Sequence, residues 1–148
     1  LQAIGATRVA IVTPYMAPLT QLVREYIEGE GIEVLDAVAL EVPDNLAVGR
    51  LDPENLPEIA RGLKREGAEA IVLSACVQMP SLPAIAQVEA MTGKPVITAA
   101  VATTYAMLKA LELDRVVPGA GADTLGSAGG SARGAPPSRR AMRESRST

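Results

Sequence analysis

The sequence has no histidine, one cysteine, no phenylalanine and no tryptophan, and each absence removes a class of chemistry. Without histidine, His-ligated zinc, Ser-His-Asp triads and Cys-His dyads cannot be assembled within the chain. A single cysteine permits neither an internal disulfide nor a cysteine-held metal cluster. Aromatics make up 2% of the residues, so the core must be built from Val, Ile, Leu, Ala and Met. That suits a tightly wound α/β sheet better than a β-sandwich, whose facing sheets usually pack aromatics. No apolar run approaches the ~20 residues that span a membrane. No secretory leader is visible either, so a cytoplasmic protein with no membrane partner is expected.

An excess of one charge sign is also missing. The net charge of the 148 residues is −3. Residues 119–148 carry five Arg against Asp123 and Glu144, which leaves −6 for residues 1–118. The mild acidity of that larger part gives no reason to expect nucleic acid as a partner. Residues 119–148 are rich in Gly, Ala, Ser, Pro and Arg and hold almost nothing to bury, so they read as a disordered tail. Their arginines are scattered, unlike a basic arm for nucleic acid. Residues 1–118 are expected to form one α/β domain with a single core.

What is present alternates strand and helix. Residues 1–6 read as the last turn of a helix stopped at Gly5, which implies sequence upstream of Leu1. Residues 8–12 form a short apolar strand, closed by Thr13-Pro14-Tyr15. Pro18 suits the first turn of the next helix. There Leu19, Leu22, Val23, Tyr26 and Ile27 recur at three- and four-residue spacing and predict one buried face; Gly29 and Gly31 end it. Residues 32–40 are a second strand, too apolar for one wet face, followed by a polar loop over 41–50. Asp52-Pro53 starts a helix over 53–65 with Gly67 as its stop. The central strand over 70–74 leads into the only cysteine, Cys76. After Ser81 a helix carries Leu82, Ile85, Val88 and Met91 on one face and ends near Gly93. Residues 95–98 are a fourth strand and 101–111 a last helix. The pattern predicts a doubly wound, four-stranded parallel sheet in the flavodoxin-like order 2-1-3-4.

Polar side chains recur just past the strands: Tyr15 after the first, Asn45 after the second, Cys76 after the third, Thr98 at the end of the fourth. In a parallel sheet these ends share the edge where ligands bind. Each has a plainer reading. A lone cysteine after a strand is often an inert buried residue. The amides of Val77, Gln78 and Met79 and the nearby helix start would nevertheless favour a thiolate or a bound carboxylate there. A phosphate loop is ruled out, because the arginine expected six residues after such a cysteine is Leu82. Tyr15, between two prolines, is either a hydroxyl donor to an anion or a half-buried packing residue. Asn45 either binds a carboxylate or forms a turn after Pro43-Asp44. Thr98, Thr103 and Thr104 read as caps of the last helix. Met16 and Met79 either shape an apolar wall beside the site or, the plainer reading, serve core or loop packing.

Taken together, Thr13-Pro-Tyr-Met16, Glu41-Val-Pro-Asp-Asn45 and above all Leu73-Ser-Ala-Cys-Val-Gln-Met-Pro-Ser-Leu82 resemble the maleate cis-trans isomerases. These belong to the aspartate/glutamate racemase superfamily, alongside arylmalonate decarboxylase. Lys94-Pro-Val-Ile-Thr-Ala-Ala100 and Val116-Val-Pro-Gly-Ala-Gly121 fit as well, and the similarity runs over about residues 1–121. The resemblance implies two similar α/β halves with the site in the cleft between them, one cysteine from each half, and no cofactor. It implies that Tyr15, Asn45 and Cys76 are active-site residues of the second half and that the amide of Val77 helps hold a substrate carboxylate. A thiolate adds to the double bond of maleate, the resulting single bond rotates, and elimination yields fumarate. The first half's cysteine is the usual nucleophile, with Cys76 as acid or base at the neighbouring carbon. A place in nicotinate degradation is implied too, and an apolar cleft wall bared by the missing half leads us to expect a homo-oligomer.

Such chemistry needs a thiolate, and a free thiol titrates near ~8.5, so the site must lower that value without histidine. The chain departs from this pattern in lacking the first half with its cysteine. It departs again after Gly121, where the Arg/Gly/Ala/Ser/Pro composition suggests a shifted reading frame. Competing readings are a decarboxylase or racemase of the same superfamily, or a catalytically silent module that docks a dicarboxylate or a partner half.

Overall fold

The computed structural model describes residues 1–74 and 80–121. Four parallel strands, β1 (Arg8–Thr13), β2 (Glu33–Ala39), β3 (Ala70–Leu73) and β4 (Val96–Thr98), lie in the order β2-β1-β3-β4. This is the order expected of a doubly wound sheet. Five helices connect and cover them: α1 (Ala17–Gly29), α2 (Asn45–Val48), α3 (Leu56–Arg61), α4 (Leu82–Thr92) and α5 (Ala99–Ala110). Three of these carry proline in the first turn, where the missing N–H has no helical partner to lose: Pro18, Pro57 and Pro83.

The strands are apolar on both faces because both are covered. Along β1, Ala10 and Val12 pack with Leu56 and Ala60 of α3 and Ile85 and Val88 of α4. Val9 and Ile11 point the other way, into a cluster with Val34, Val23 and Ile27. This two-residue alternation puts α3 and α4 on one face and α1 on the other. Each fully buried Val, Leu or Ile contributes roughly 1.5–3 kcal/mol relative to an exposed one. The packed chain continues past residue 118, since Ala120 is buried in the α3–α4 cluster. The rest of the expected tail, residues 122–148, lies outside the described residues.

Several elements differ from expectation, each for a local reason. The stripe on α1 is not one buried face: Val23 and Ile27 are half-buried, but Leu19, Leu22 and Tyr26 are exposed. Tyr26 borders a cavity of about 580 Å³ between α1 and α5, while Leu19 and Leu22 are exposed outside its lining. β2 is half-buried, not enclosed, because it forms the sheet edge. The helix expected over 53–65 is a 3-10 turn (Pro53–Asn55) followed by the short α3. Gly62 closes it rather than Gly67, because Leu63 turns into the core and the Lys64 N–H donates to the Asp36 carboxylate at 2.8 Å. Met16 is exposed and does not pack in the core. Thr103 and Thr104 do not cap α5; inside the helix their hydroxyls donate to the carbonyls of Ala99 and Ala100.

Candidate functional site

The carboxyl ends of the strands form one edge, and the backbone there is tied together beyond the sheet. Leu40 N–H donates to Thr13 O at 2.9 Å, Glu41 N–H to Tyr15 O at 3.1 Å and Val42 N–H to Pro14 O at 3.1 Å. The connections after β1 and β2 therefore run side by side for three residues past their strands. Glu41 takes a left-handed backbone, φ 53°, to make this pairing. That conformation is costly for a side chain with a Cβ, and strain of this kind gathers at functional edges.

Tyr15 sits on the first of these tied connections, half-buried. Asn45 follows the second. The segment that reads from sequence as a polar loop contains α2, and Asn45 is its first residue. Asp44 caps it, accepting Leu46 N–H at 2.9 Å. Asn45 is thus held on a capped turn a few residues from the pairing with the Tyr15 connection. The signal for this turn is present in the sequence: an Asx residue before Asn-Leu-Ala-Val with Gly49 behind it.

Next to β1 on its other side, Ser74 N–H donates to Val12 O at 2.8 Å, extending β3 toward the same edge. Cys76 and Val77, with Ala75, Gln78 and Met79, lie outside the described residues. The chain resumes at Pro80, and the buried Ser81 is the N-cap of α4 without a side-chain capping bond. Met16 at the start of α1 also lacks a capping side chain. Among the described residues neither helix start has a side-chain capping bond, which favours an anion there. At the fourth strand Thr98 is buried and caps α5, its hydroxyl accepting Val101 N–H at 3.2 Å.

Two buried hydroxyls below the edge carry no signal in local sequence. Thr13 Oγ1 and Thr20 Oγ1 are 2.6 Å apart, and Thr20 Oγ1 is 3.5 Å from the Tyr15 carbonyl. Seven residues and a proline turn separate the two threonines, so only the fold brings them together. At the opposite edge Glu69 receives the Thr7 and Arg8 N–H groups, the Thr7 hydroxyl and the Arg8 guanidinium. These donors, with the Thr7 amide the strongest, hold its carboxyl down at about 2. The 580 Å³ cavity between α1 and α5 lies toward that second edge, lined by Tyr26, Ile32 and Lys109, away from Tyr15 and Asn45. Among the described residues no cluster of His, Cys, Asp and Glu is placed to hold a metal. No helix among them is long and apolar enough to cross a membrane.

A doubly wound parallel sheet with helix starts at its carboxyl edge is the class of α/β fold in which ligands bind along that edge. The arylmalonate decarboxylase family profile matches residues 1–123, and the chain belongs to that family. It is 66% identical over 122 residues to a maleate isomerase of Pseudomonas putida, a match covering 82% of this chain and 49% of the relative. Among solved structures, a Cys-to-Ala variant of the maleate isomerase from Pseudomonas putida S16 with maleate superposes with a TM-score of 0.78 at 62% identity, covering 82% of this chain and 48% of that one. A Cys-to-Ser variant of the Nocardia farcinica maleate cis-trans isomerase, with a covalently bound succinylcysteine intermediate, superposes with a TM-score of 0.76 at 45% identity, covering 80% and 49%. The chain thus spans about half the length of the relatives it matches.

Proposed function

We propose that this chain supplies one lobe of a cofactor-independent isomerase that converts maleate to fumarate in the cytoplasm. The observation that carries the proposal is the pairing of the two connections that bear Tyr15 and Asn45, at the edge toward which β3 runs. Together with the uncapped starts of α1 and α4, that edge suits a small dicarboxylate: amides, a phenol and a carboxamide can share its negative charge. The relatives solved with maleate and with a succinylcysteine adduct support the same chemistry.

The reaction balances without an external reagent. A thiolate adds to one alkene carbon and forms a C–S bond, while the π electrons pass to the neighbouring carbon and its carboxylate. A proton delivered there gives the succinyl thioether, in which the former double bond is single and rotates. Removal of that proton and expulsion of the thiolate restore the double bond as fumarate. Cys76 is assigned the proton transfer, with the nucleophilic thiolate coming from the other lobe. Tyr15, Asn45 and the Val77 amide are assigned to the carboxylates, where charge grows during addition.

The test is to incubate the chain with maleate, alone and with the separately expressed other half of a maleate isomerase, and to follow fumarate by proton NMR. Fumarate is expected from the paired sample. There Cys76→Ser should lower the rate by about 100-fold or more, the scale of losing a positioned acid–base group. Fumarate from neither sample overturns the isomerase reading. A rate untouched by the substitution removes the role of Cys76. Maleate binding without turnover in either sample would make the chain a dicarboxylate-docking module instead.

A further inference from the structure

We infer that Thr13 and Thr20 form a positioning pair for Tyr15, two buried hydroxyls that set the placement of its phenol from behind the site. The inference rests on the assignment of Tyr15 to the substrate carboxylate. Thr13 ends β1 at 0% exposure and Thr20 lies one turn into α1 at 4%. Their oxygens are 2.6 Å apart, and Thr20 Oγ1 also reaches the Tyr15 carbonyl at 3.5 Å.

Either hydroxyl can donate the 2.6 Å bond; with Thr13 as its donor, the Thr20 hydroxyl is left to donate to the Tyr15 carbonyl, which only accepts. Tyr15 O accepts a second bond from Glu41 N–H at 3.1 Å. This carbonyl thus receives a backbone bond from the connection that leads to Asn45 and a longer contact, 3.5 Å, from α1. The peptide after Tyr15 is therefore fixed from two sides, and with it the direction in which the side chain leaves the backbone.

Two features separate this arrangement from ordinary helix packing. Thr20 is the buried residue of α1, while Leu19 and Leu22 of the same helix are exposed. A threonine inside a helix usually returns its hydroxyl to the carbonyl four residues back. Here the hydroxyl lies 2.6 Å from Thr13 Oγ1 and 3.5 Å from the carbonyl five residues back, that of Tyr15.

The scarcity of aromatics makes the test direct, because the sequence holds three tyrosines and no other aromatic ring. In the full chain with 13C-labelled tyrosine rings, Thr20→Val keeps the shape and removes the donor, whereas Thr20→Ser keeps the donor. The Val variant should shift and broaden the Tyr15 ring signals and leave those of Tyr26 and Tyr105 in place. The Ser variant should retain the native Tyr15 signals. The maleate concentration that half-saturates the Tyr15 response should rise about fivefold in the Val variant, the scale of one net hydrogen bond. Thr13→Val, which removes the other donor, should act in the same direction and serves if Thr20→Val does not fold. A folded Val variant with native Tyr15 signals overturns the inference, even if its melting temperature falls, since that result describes packing alone. If maleate leaves wild-type Tyr15 unmoved, the assignment of Tyr15 to substrate fails, while the signals of the free chain still decide whether the hydroxyl pair positions it.

Discussion

Glu69 joins the starts of β1 and β3 through one carboxylate, and the geometry fixes the sign of its pH dependence. Its carboxyl titrates at about 2 instead of the ordinary 4.5 because Thr7 and Arg8 donate to the charged form. A depressed carboxyl contributes stability that is complete above the unfolded value and is lost as pH falls from about 4.5 toward 2. Melting temperature followed against pH should therefore show wild type above Glu69→Gln at neutral pH, with the gap closing through that window. A gap that persists unchanged at pH 2 would mean that the ionised carboxylate is not what matters. The group is solvent-exposed, so added salt should narrow the gap at neutral pH as well. Nothing in the sequence marks Glu69, because its partner Thr7 lies 62 positions away. Tyr15 and Asn45 are different: their place just past a strand can be read from the local pattern.

Among the elements, α2 carries Asn45 and has the weakest signal. Four residues make too few hydrogen bonds to hold a helix by propensity, so its cap decides whether it forms. Asp44→Ala removes the acceptor for Leu46 N–H and should cost about 1 kcal/mol, the usual value of such a cap. Chemical denaturation would give that figure, and faster exchange of the Leu46 amide would place the loss at α2. Unchanged exchange there would show that the pairing of Glu41 and Val42 with the Tyr15 connection holds the turn without its cap. Four strands and their order, by contrast, are legible from sequence, because apolar runs between helical segments leave a parallel sheet as the economical arrangement. Periodicity fails at α1 for a physical reason: three-and-four spacing reports an apolar face but not whether a neighbour covers it. It fails at α3 because a buried Leu63 and the carboxylate of Asp36, both tertiary features, end the helix early.

For the molecule as a whole, the uncovered flank of α1 predicts association. Leu22 is 60% and Tyr26 71% exposed, with Leu19 a turn before them, and Tyr26 also borders the 580 Å³ cavity against α5. A run of large apolar side chains beside an open cavity costs water more than scattered surface leucines do, and such patches mark contact surfaces. A second copy of the chain offers the same apolar surface, and pairing through it would bury both flanks at once. Sedimentation velocity between roughly 1 and 100 μM, the range where such contacts saturate, should show a weight-average mass that climbs above one chain. Leu22→Glu combined with Tyr26→Glu should shift that curve to at least ~10-fold higher concentration, since both side chains would have to bury an unpaired charge. Because the two positions are exposed in the single chain, the circular dichroism of the variant should match wild type. A wild-type chain that stays monomeric across the range would show that this flank remains in water despite its composition. Association undiminished in the double variant would place the contact on another face.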